Sequence, residues 1–107
     1  MGIALKWSDQ AKRDLKLVFD YYKSNANIKV AQNIILSIFD NIEKLKNYPN
    51  LGKADLNIIY RSFDLKYLII NNHKIFYSNT QKGIIIHLIF DTRQNPEILL
   101  DKLRNLK

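Results

Sequence analysis

The first half of the chain carries apolar residues at helical spacing. Ile3 to Trp7 is a short apolar run that predicts a strand, and Ser8 after it is suited to cap a helix. Residues 8–24 are predicted as that helix from one apolar face, formed by Ala11, Leu15, Val18 and Tyr22. After the polar break at 24–27, a second helix is predicted up to residues 48–49 from the stripe Ala31, Ile34, Ile35, Ile38, Ile42 and Leu45. The pattern therefore predicts a helical hairpin.

The second half of the chain changes to the shorter period of strands. Four strands are predicted after the turn at 49–52, namely Ile58–Phe63, Leu65–Ile70, His73–Ser78 and Ile84–Phe90. Asn71-Asn72 predicts a two-residue hairpin turn, because asparagine tolerates the left-handed backbone that such a turn requires. Counting outward from this turn pairs Ile70 with His73, Leu68 with Ile75 and Lys66 with Tyr77 on one face, and Tyr67 with Phe76 and Ile69 with Lys74 on the other.

The chain closes with a predicted short helix. Asn95 is suited to cap it, Pro96 to occupy its first position and Glu97 to favour its positive end. Its apolar residues are Leu99, Leu100, Leu103 and Leu106. The elements together predict an α+β fold, with an N-terminal strand and long helical hairpin packed on a mainly antiparallel, curved sheet of about four to five strands. Residues 1–107 are expected to form a single domain.

The composition is that of a globular protein without a membrane-spanning segment. The chain is 47% hydrophobic and 25% charged, as in globular proteins, and it has no apolar span of about 18 residues that would cross a membrane. The start, MGIALKWSDQ, lacks the apolar core of a signal peptide, so a cytoplasmic location without a membrane partner is expected. The absence of cysteine excludes disulfides and thiolate metal sites.

The net charge of +7 indicates an anionic partner. Residues 44–82 hold seven cations against two acids, a local balance of +5, so much of the excess lies in the middle of the chain. A basic region on a small domain favours binding to nucleic acid or to an acidic protein. A solubilising surface lysine coat would give a similar total charge.

The segment 83–96, GIIIHLIFDTRQNP, joins a buried strand to a polar end. An apolar run stops at Asp91, and polar residues at the end of a buried strand lie at the rim of the sheet, where ligands reach them. Asp91 and Arg93 are two residues apart and close enough to pair. They predict either a rim salt bridge or a guanidinium, held by Asp91, that is presented to a phosphate or a partner's carboxylate.

Other basic and phenolic residues extend this prediction. Arg61 lies on the first of the four predicted strands, and Lys66 is paired with Tyr77. If these strands adjoin, Arg61, Lys66, Tyr77 and Arg93 form a cationic patch with phenols at one end of the sheet. Such a patch is suited to phosphate contacts and base stacking.

The sequence lacks the usual catalytic motifs. It has no phosphate-binding glycine loop, no GxSxG and no HExxH, and its only histidines are His73 and His87, so no cofactor or metal is expected. His87 and Asp91 would share a face of a regular strand but lie roughly 13 Å apart along it, too far to form a dyad. Within its apolar run, His87 is predicted to be a core residue with one satisfied nitrogen.

The order of these elements resembles the RelE/ParE superfamily of type II toxin–antitoxin toxins, which includes plasmid stabilisation proteins. The similarity covers nearly the whole chain and lies in four segments, LKWSDQAKRDLKLVFDYY, YPNLG, KYLIINNHKIFY and IIHLIFDTRQNP. Arg61 and Arg93 match the basic positions of the family on the second strand and after the last strand.

The resemblance implies a toxin that inhibits growth, is neutralised by a cognate antitoxin in a hetero-oligomer, and reaches operator DNA only through that antitoxin. DNA gyrase is slightly favoured as the target, because no tyrosine or histidine follows His87, where RelE-like nucleases place one. The alternatives are a ribosome-dependent mRNA endonuclease, for which Arg61 and Arg93 would be the catalytic residues, and a degenerate, non-toxic antitoxin-binding module. In the non-nuclease case Lys66, Tyr77, Asp91 and Arg93 are the expected contacts for target or antitoxin.

Overall fold

A computed structural model describes residues 3–54 and 65–105 of the chain. Its first strand, β1, covers Leu5–Trp7 and is followed by helix α1 at Asp9–Asn25, helix α2 at Ile28–Glu43 and a 3-10 turn at Lys44–Lys46. The later elements are β2 (Lys53–Ala54), β3 (Leu65–Ile70), β4 (His73–Thr80), β5 (Gly83–Asp91) and helix α3 (Pro96–Arg104). The predicted strand Ile58–Phe63 and Leu106 lie outside the described residues.

Local sequence signals set the helix starts close to where they were predicted. The predicted end of the second helix at 48–49 was wrong, because α2 ends at Glu43 and a 3-10 turn follows at Lys44–Lys46. The Ser8 side chain accepts a hydrogen bond from the Ala11 backbone N–H at 3.0 Å and so caps α1. The Asn27 side chain caps α2 in the same way, and Asn95 caps α3 with Pro96 at its first position. The prediction of a helical hairpin and a short C-terminal helix is confirmed.

The described strands form one mixed sheet in the order β1-β5-β4-β3-β2. The hairpin of β3 and β4 has the predicted register, with Ile70 opposite His73 and Lys66 opposite Tyr77, and Asn71 has a left-handed φ of 56° in its turn. The parallel pairing of β1 with β5 and the short edge strand β2 were not predicted.

The sheet separates two apolar clusters. The larger lies between the sheet and the hairpin of α1 and α2, and its buried members include Ala11, Ile38, Ile42, Leu45, Ile75, Tyr77, Ile84, Ile86 and Ile89. The smaller contains Phe76, Leu88, Phe90 and Leu103 of α3, so α3 packs on the opposite face. The α+β architecture is thus as predicted. No helix of the described part is long and apolar enough to cross a membrane.

A β-bulge in β5 changes which residues face each cluster. Tyr77 is opposite Ile86 and Phe76 is opposite Leu88, which leaves His87 as the extra residue. Ile86 and Ile89 therefore face the hairpin although they are three residues apart, and Leu88 faces α3. The regular alternation of side chains between the two faces of the sheet is therefore interrupted between His87 and Asp91. The two side chains lie on opposite faces of the sheet, so the assumption that they share a face was wrong.

Candidate functional site

Arg93 and Asp91 form a fixed ion pair just after β5. Arg93 donates from Nε to Asp91 Oδ1 at 3.0 Å and from Nη2 to Asp91 Oδ2 at 2.8 Å, a bidentate arrangement. The Arg93 backbone N–H also donates to Asp91 Oδ1 at 2.9 Å. The turn and the guanidinium are therefore ordered by one carboxylate, as predicted for this pair.

The ion pair fixes the charge of both groups at neutral pH. The hydrogen bonds and the charge of Arg93 hold the pKa of the Asp91 carboxyl below its ordinary value. The same hydrogen bonds and the charge of Asp91 raise the pKa of the Arg93 guanidinium. With its pKa raised, Arg93 stays a cation. Its side chain is exposed to solvent at the rim of the sheet.

Two adjacent tyrosines of α1 complete the surroundings of Arg93. Arg93 Nη2 donates to the Tyr22 hydroxyl at 3.0 Å, and the guanidinium carbon lies 5.8 Å from the centroid of the Tyr21 ring. The two tyrosine rings meet edge to face at 5.1 Å. The sequence pattern placed Tyr22 on the apolar face of α1 but did not connect it to Arg93, because the contact spans 71 residues.

His73 lies beneath these groups at the start of β4. It is opposite Asp91 in the sheet and is 1% exposed, and its ring meets that of Tyr22 edge to face at 6.2 Å. Burial lowers the pKa of His73, although the charge of Asp91 partly opposes that shift. Its Nδ1 atom is buried without a hydrogen-bond partner among the described residues. Such an atom marks an unsatisfied polar position.

Helix α1 is tied to β5 by two side chains, and this sets the position of the tyrosines. The Ser8 hydroxyl donates to the His87 carbonyl at 2.7 Å, at the bulge. The buried Asp14 carboxylate accepts from the Ile89 backbone N–H at 3.0 Å and from Lys102 Nζ of α3 at 3.4 Å. Asp14 thus occupies the edge of β5 beyond its pairing with β1, which extends only to Ile86. Helix α1, β5 and α3 are held together there.

The remaining predicted contacts lie elsewhere. Tyr77 is fully buried, and its hydroxyl accepts from the Gly52 N–H at 2.7 Å and donates to the Pro49 carbonyl at 3.0 Å. Lys66 is half-buried and lies opposite Tyr77. Tyr77 is four residues from His73 on β4, a distance of roughly 13 Å along the strand. The structure therefore does not bring Lys66 or Tyr77 to Arg93. Arg61 lies outside the described residues.

His87 is a core residue with a satisfied nitrogen, as predicted. It is buried, and its Nε2 lies 2.8 Å from the Ser78 hydroxyl oxygen. This pair is on the α3 side of the sheet, away from Arg93. In residues 3–54 and 65–105, no group of three or more His, Cys, Asp or Glu side chains is placed to hold a metal ion.

The groups around Arg93 have the composition of a recognition surface. An exposed guanidinium, fixed in its plane by a carboxylate and flanked by two phenol rings, matches the composition of protein-binding hot spots, which are enriched in tyrosine and arginine. The guanidinium is also suited to contact a phosphate.

Comparison with known proteins identifies a sequence family and a similar solved structure. The sequence model of the family described as ParE toxin of the type II toxin–antitoxin system, parDE, matches residues 5–96. A solved chain of the chromosomal ParDE toxin–antitoxin system from P. aeruginosa has the same fold, with a TM-score of 0.72 at 19% sequence identity, over 85% of this chain and 97% of that one. A search of curated proteins finds no significant match. Because the family match extends from β1 to the start of α3, the chain belongs to the ParE family of toxins of type II toxin–antitoxin systems.

Proposed function

We propose that this protein arrests growth by binding a macromolecular target and that a cognate antitoxin neutralises it. DNA gyrase is the favoured target. The observation that carries the proposal is the family match over residues 5–96. The exposed Arg93, held by Asp91 and flanked by Tyr21 and Tyr22, supports it as the contact surface.

Charge supports a macromolecular partner of acidic character. The chain carries +7, and an acidic antitoxin would neutralise both the charge and the surface around Arg93. Lys66 is a second proposed contact because it is a cation of the basic central region, whereas the buried Tyr77 is left out of the contact surface.

Inducible expression of the chain alone tests the proposal. We expect growth arrest with DNA damage that is relieved by co-expression of the cognate antitoxin, and inhibition of gyrase supercoiling by the purified protein that is relieved by adding the purified antitoxin. Normal growth together with intact supercoiling would instead identify a non-toxic antitoxin-binding module.

A ribosome-dependent mRNA endonuclease is the second candidate. It is favoured by one observation, the Tyr22 hydroxyl 3.0 Å from Arg93, since a proton-carrying group beside a cation is what cleavage of RNA requires. His73 is also close to Asp91 but is 1% exposed. Mapping transcript ends after induction distinguishes the candidates, because codon-phased cuts in translated mRNA are expected only for the nuclease.

A further inference from the structure

A cavity of about 720 Å³ opens beside Arg93. It lies between the C-terminal half of α1 and the adjoining ends of β4 and β5, and its lining includes Leu17, Tyr21, Tyr22, His73, Arg93 and Lys102. This volume is within the usual range of roughly 300–1,000 Å³ for ligand pockets. The cavity is therefore large enough to receive one or two side chains of a partner.

The hydrogen-bond donors of this cavity are only partly used. Arg93 donates from Nε to Asp91 and from Nη2 to Asp91 and Tyr22. No partner for its Nη1 is found in the described ranges. The Tyr22 hydroxyl accepts from Arg93, so its own hydrogen is left to donate. An incoming group that accepts two hydrogen bonds matches this pair.

His73 supplies an independent sign of a ligand. Its ring lines the cavity and is 1% exposed, and its Nδ1 has no partner in the described part of the chain. In the neutral ring Nδ1 is a donor or an acceptor according to the tautomer, whereas in the protonated ring both nitrogens donate.

The charges of the lining argue against a nucleic-acid backbone. Three carboxylates, Asp14, Asp20 and Asp91, line the cavity with two cations, Arg93 and Lys102, so no excess of cations is present to neutralise successive phosphates. One carboxylate needs only the free edge of Arg93.

The rim of the cavity indicates a protein as the source of that carboxylate. Leu17 and Tyr21 lie one helical turn apart on α1 and are 63% and 49% exposed. An apolar side chain of a partner would cover them, and a partner with acidic residues complements the net charge of +7.

We propose that this cavity is a carboxylate pocket for the antitoxin. An aspartate or glutamate of the antitoxin accepts hydrogen bonds from Arg93 Nη1 and the Tyr22 hydroxyl, while a neighbouring apolar residue covers Leu17 and Tyr21. The carboxylate also favours the protonated form of His73. This inference rests on the proposed neutralisation by an antitoxin and names the chemistry of that contact.

Other groups also act on the proton of His73. They are Asp91 and Arg93 after β5, Tyr22 on α1, and the Ile70 backbone on β3. Asp91 favours the imidazolium and Arg93 opposes it. Because these two charges are paired with one another, an added carboxylate shifts the balance toward protonation, and binding should take up a proton.

The test is calorimetric titration of the protein with its purified cognate antitoxin. We expect Arg93→Gln to weaken binding about 30-fold and Tyr22→Phe about threefold. Lys82→Gln, which removes an exposed cation at the β4–β5 turn, should change it less than twofold. Thermal unfolding of each variant checks that it is folded. The wild-type affinity should rise as the pH falls from 8 to 6, and His73→Gln should abolish that rise.

Three results would contradict the proposal that this cavity binds a carboxylate of the antitoxin. Equal effects of Arg93→Gln and Lys82→Gln would place the antitoxin elsewhere and leave its neutralising role intact, and so would a flat pH profile for the wild type. Loss of binding to an RNA or DNA oligonucleotide in Arg93→Gln, with antitoxin binding retained, would identify a phosphate site instead. No binding of the antitoxin by the wild type would contradict the proposed neutralisation itself.

Discussion

The two tyrosines Tyr22 and Tyr77 both make polar contacts, but one closes a turn and the other faces a cavity. Tyr77 uses its hydroxyl on two backbone groups, the Gly52 N–H and the Pro49 carbonyl, and is fully buried. Tyr22 accepts from the exposed Arg93 and lines the open cavity. The backbone contacts of the Tyr77 hydroxyl stabilise the fold, whereas the Tyr22 hydroxyl, held by an exposed and charged side chain, lies where a partner can reach it.

The close packing around Tyr77 extends to Gly52. A Cβ built on Gly52 would lie 2.5 Å from the Tyr77 ring and 2.8 Å from the Tyr67 carbonyl oxygen. Tyr77 and the turn at 49–52 thus form a contact that admits only glycine at this position. Tyr22 instead lines the open cavity. Tyr77 is therefore part of the folded scaffold, whereas Tyr22 is part of the candidate site.

Replacing Asp14 should have the largest effect on stability. Asp14→Ala leaves the Ile89 N–H without its acceptor and Lys102 without its carboxylate, so we expect a loss of about 3 kcal/mol in the free energy of unfolding. Urea denaturation measures it. Asp20→Ala is the control, since Asp20 pairs with Lys16 at the surface, and a loss as large there would refute the role of Asp14.

Tyr77→Phe should destabilise the protein by about 2 kcal/mol, because two buried backbone groups lose their partner. Under conditions in which this variant is folded, it should bind the antitoxin with the affinity of the wild type. A selective loss of affinity without a loss of stability would reverse the roles given to the two tyrosines.

Tyr22→Phe is the matched substitution and should behave in the opposite way. It removes one hydroxyl from a partly exposed hydrogen bond, so the free energy of unfolding should fall by less than about 1 kcal/mol. Denaturation of the two phenylalanine variants side by side measures the difference. Equal destabilisation would show that Tyr22 belongs to the scaffold as well.

The stability of the fold should depend on pH through His73. The folded-state pKa of His73 lies below its ordinary value of 6.5, so the unfolded chain binds the proton more readily. Stability associated with His73 is thus fully present above pH 6.5 and declines as the pH falls below that value. Thermal unfolding between pH 8 and 5 should show this slope, and His73→Gln should reduce it. An unchanged slope in that variant would mean that His73 is not the group responsible.

The fold was largely predictable because its signals are local. Caps at Ser8, Asn27 and Asn95 fix helix starts, and the Asn71-Asn72 turn fixes the register of β3 and β4 by counting. The bulge at His87 was not predictable, because it depends on packing against two different layers.

The site was only half predictable. The Asp91–Arg93 pair follows from their spacing of two residues, but its neighbours Tyr22 and His73 come from distant parts of the chain. A sign was present in the sequence, since Asp14 and Tyr22 fall on the sheet-facing side of α1, where polar groups require partners.

Growth after induction of the wild type and of Arg93→Ala tests the central claim, that the surface around Arg93 carries the activity of this toxin. Both proteins, with Lys82→Ala as a charge-matched control, are expressed to equal soluble levels without antitoxin. We expect arrest by the wild type and by Lys82→Ala, and near-normal growth with Arg93→Ala. Full arrest by Arg93→Ala would contradict the claim.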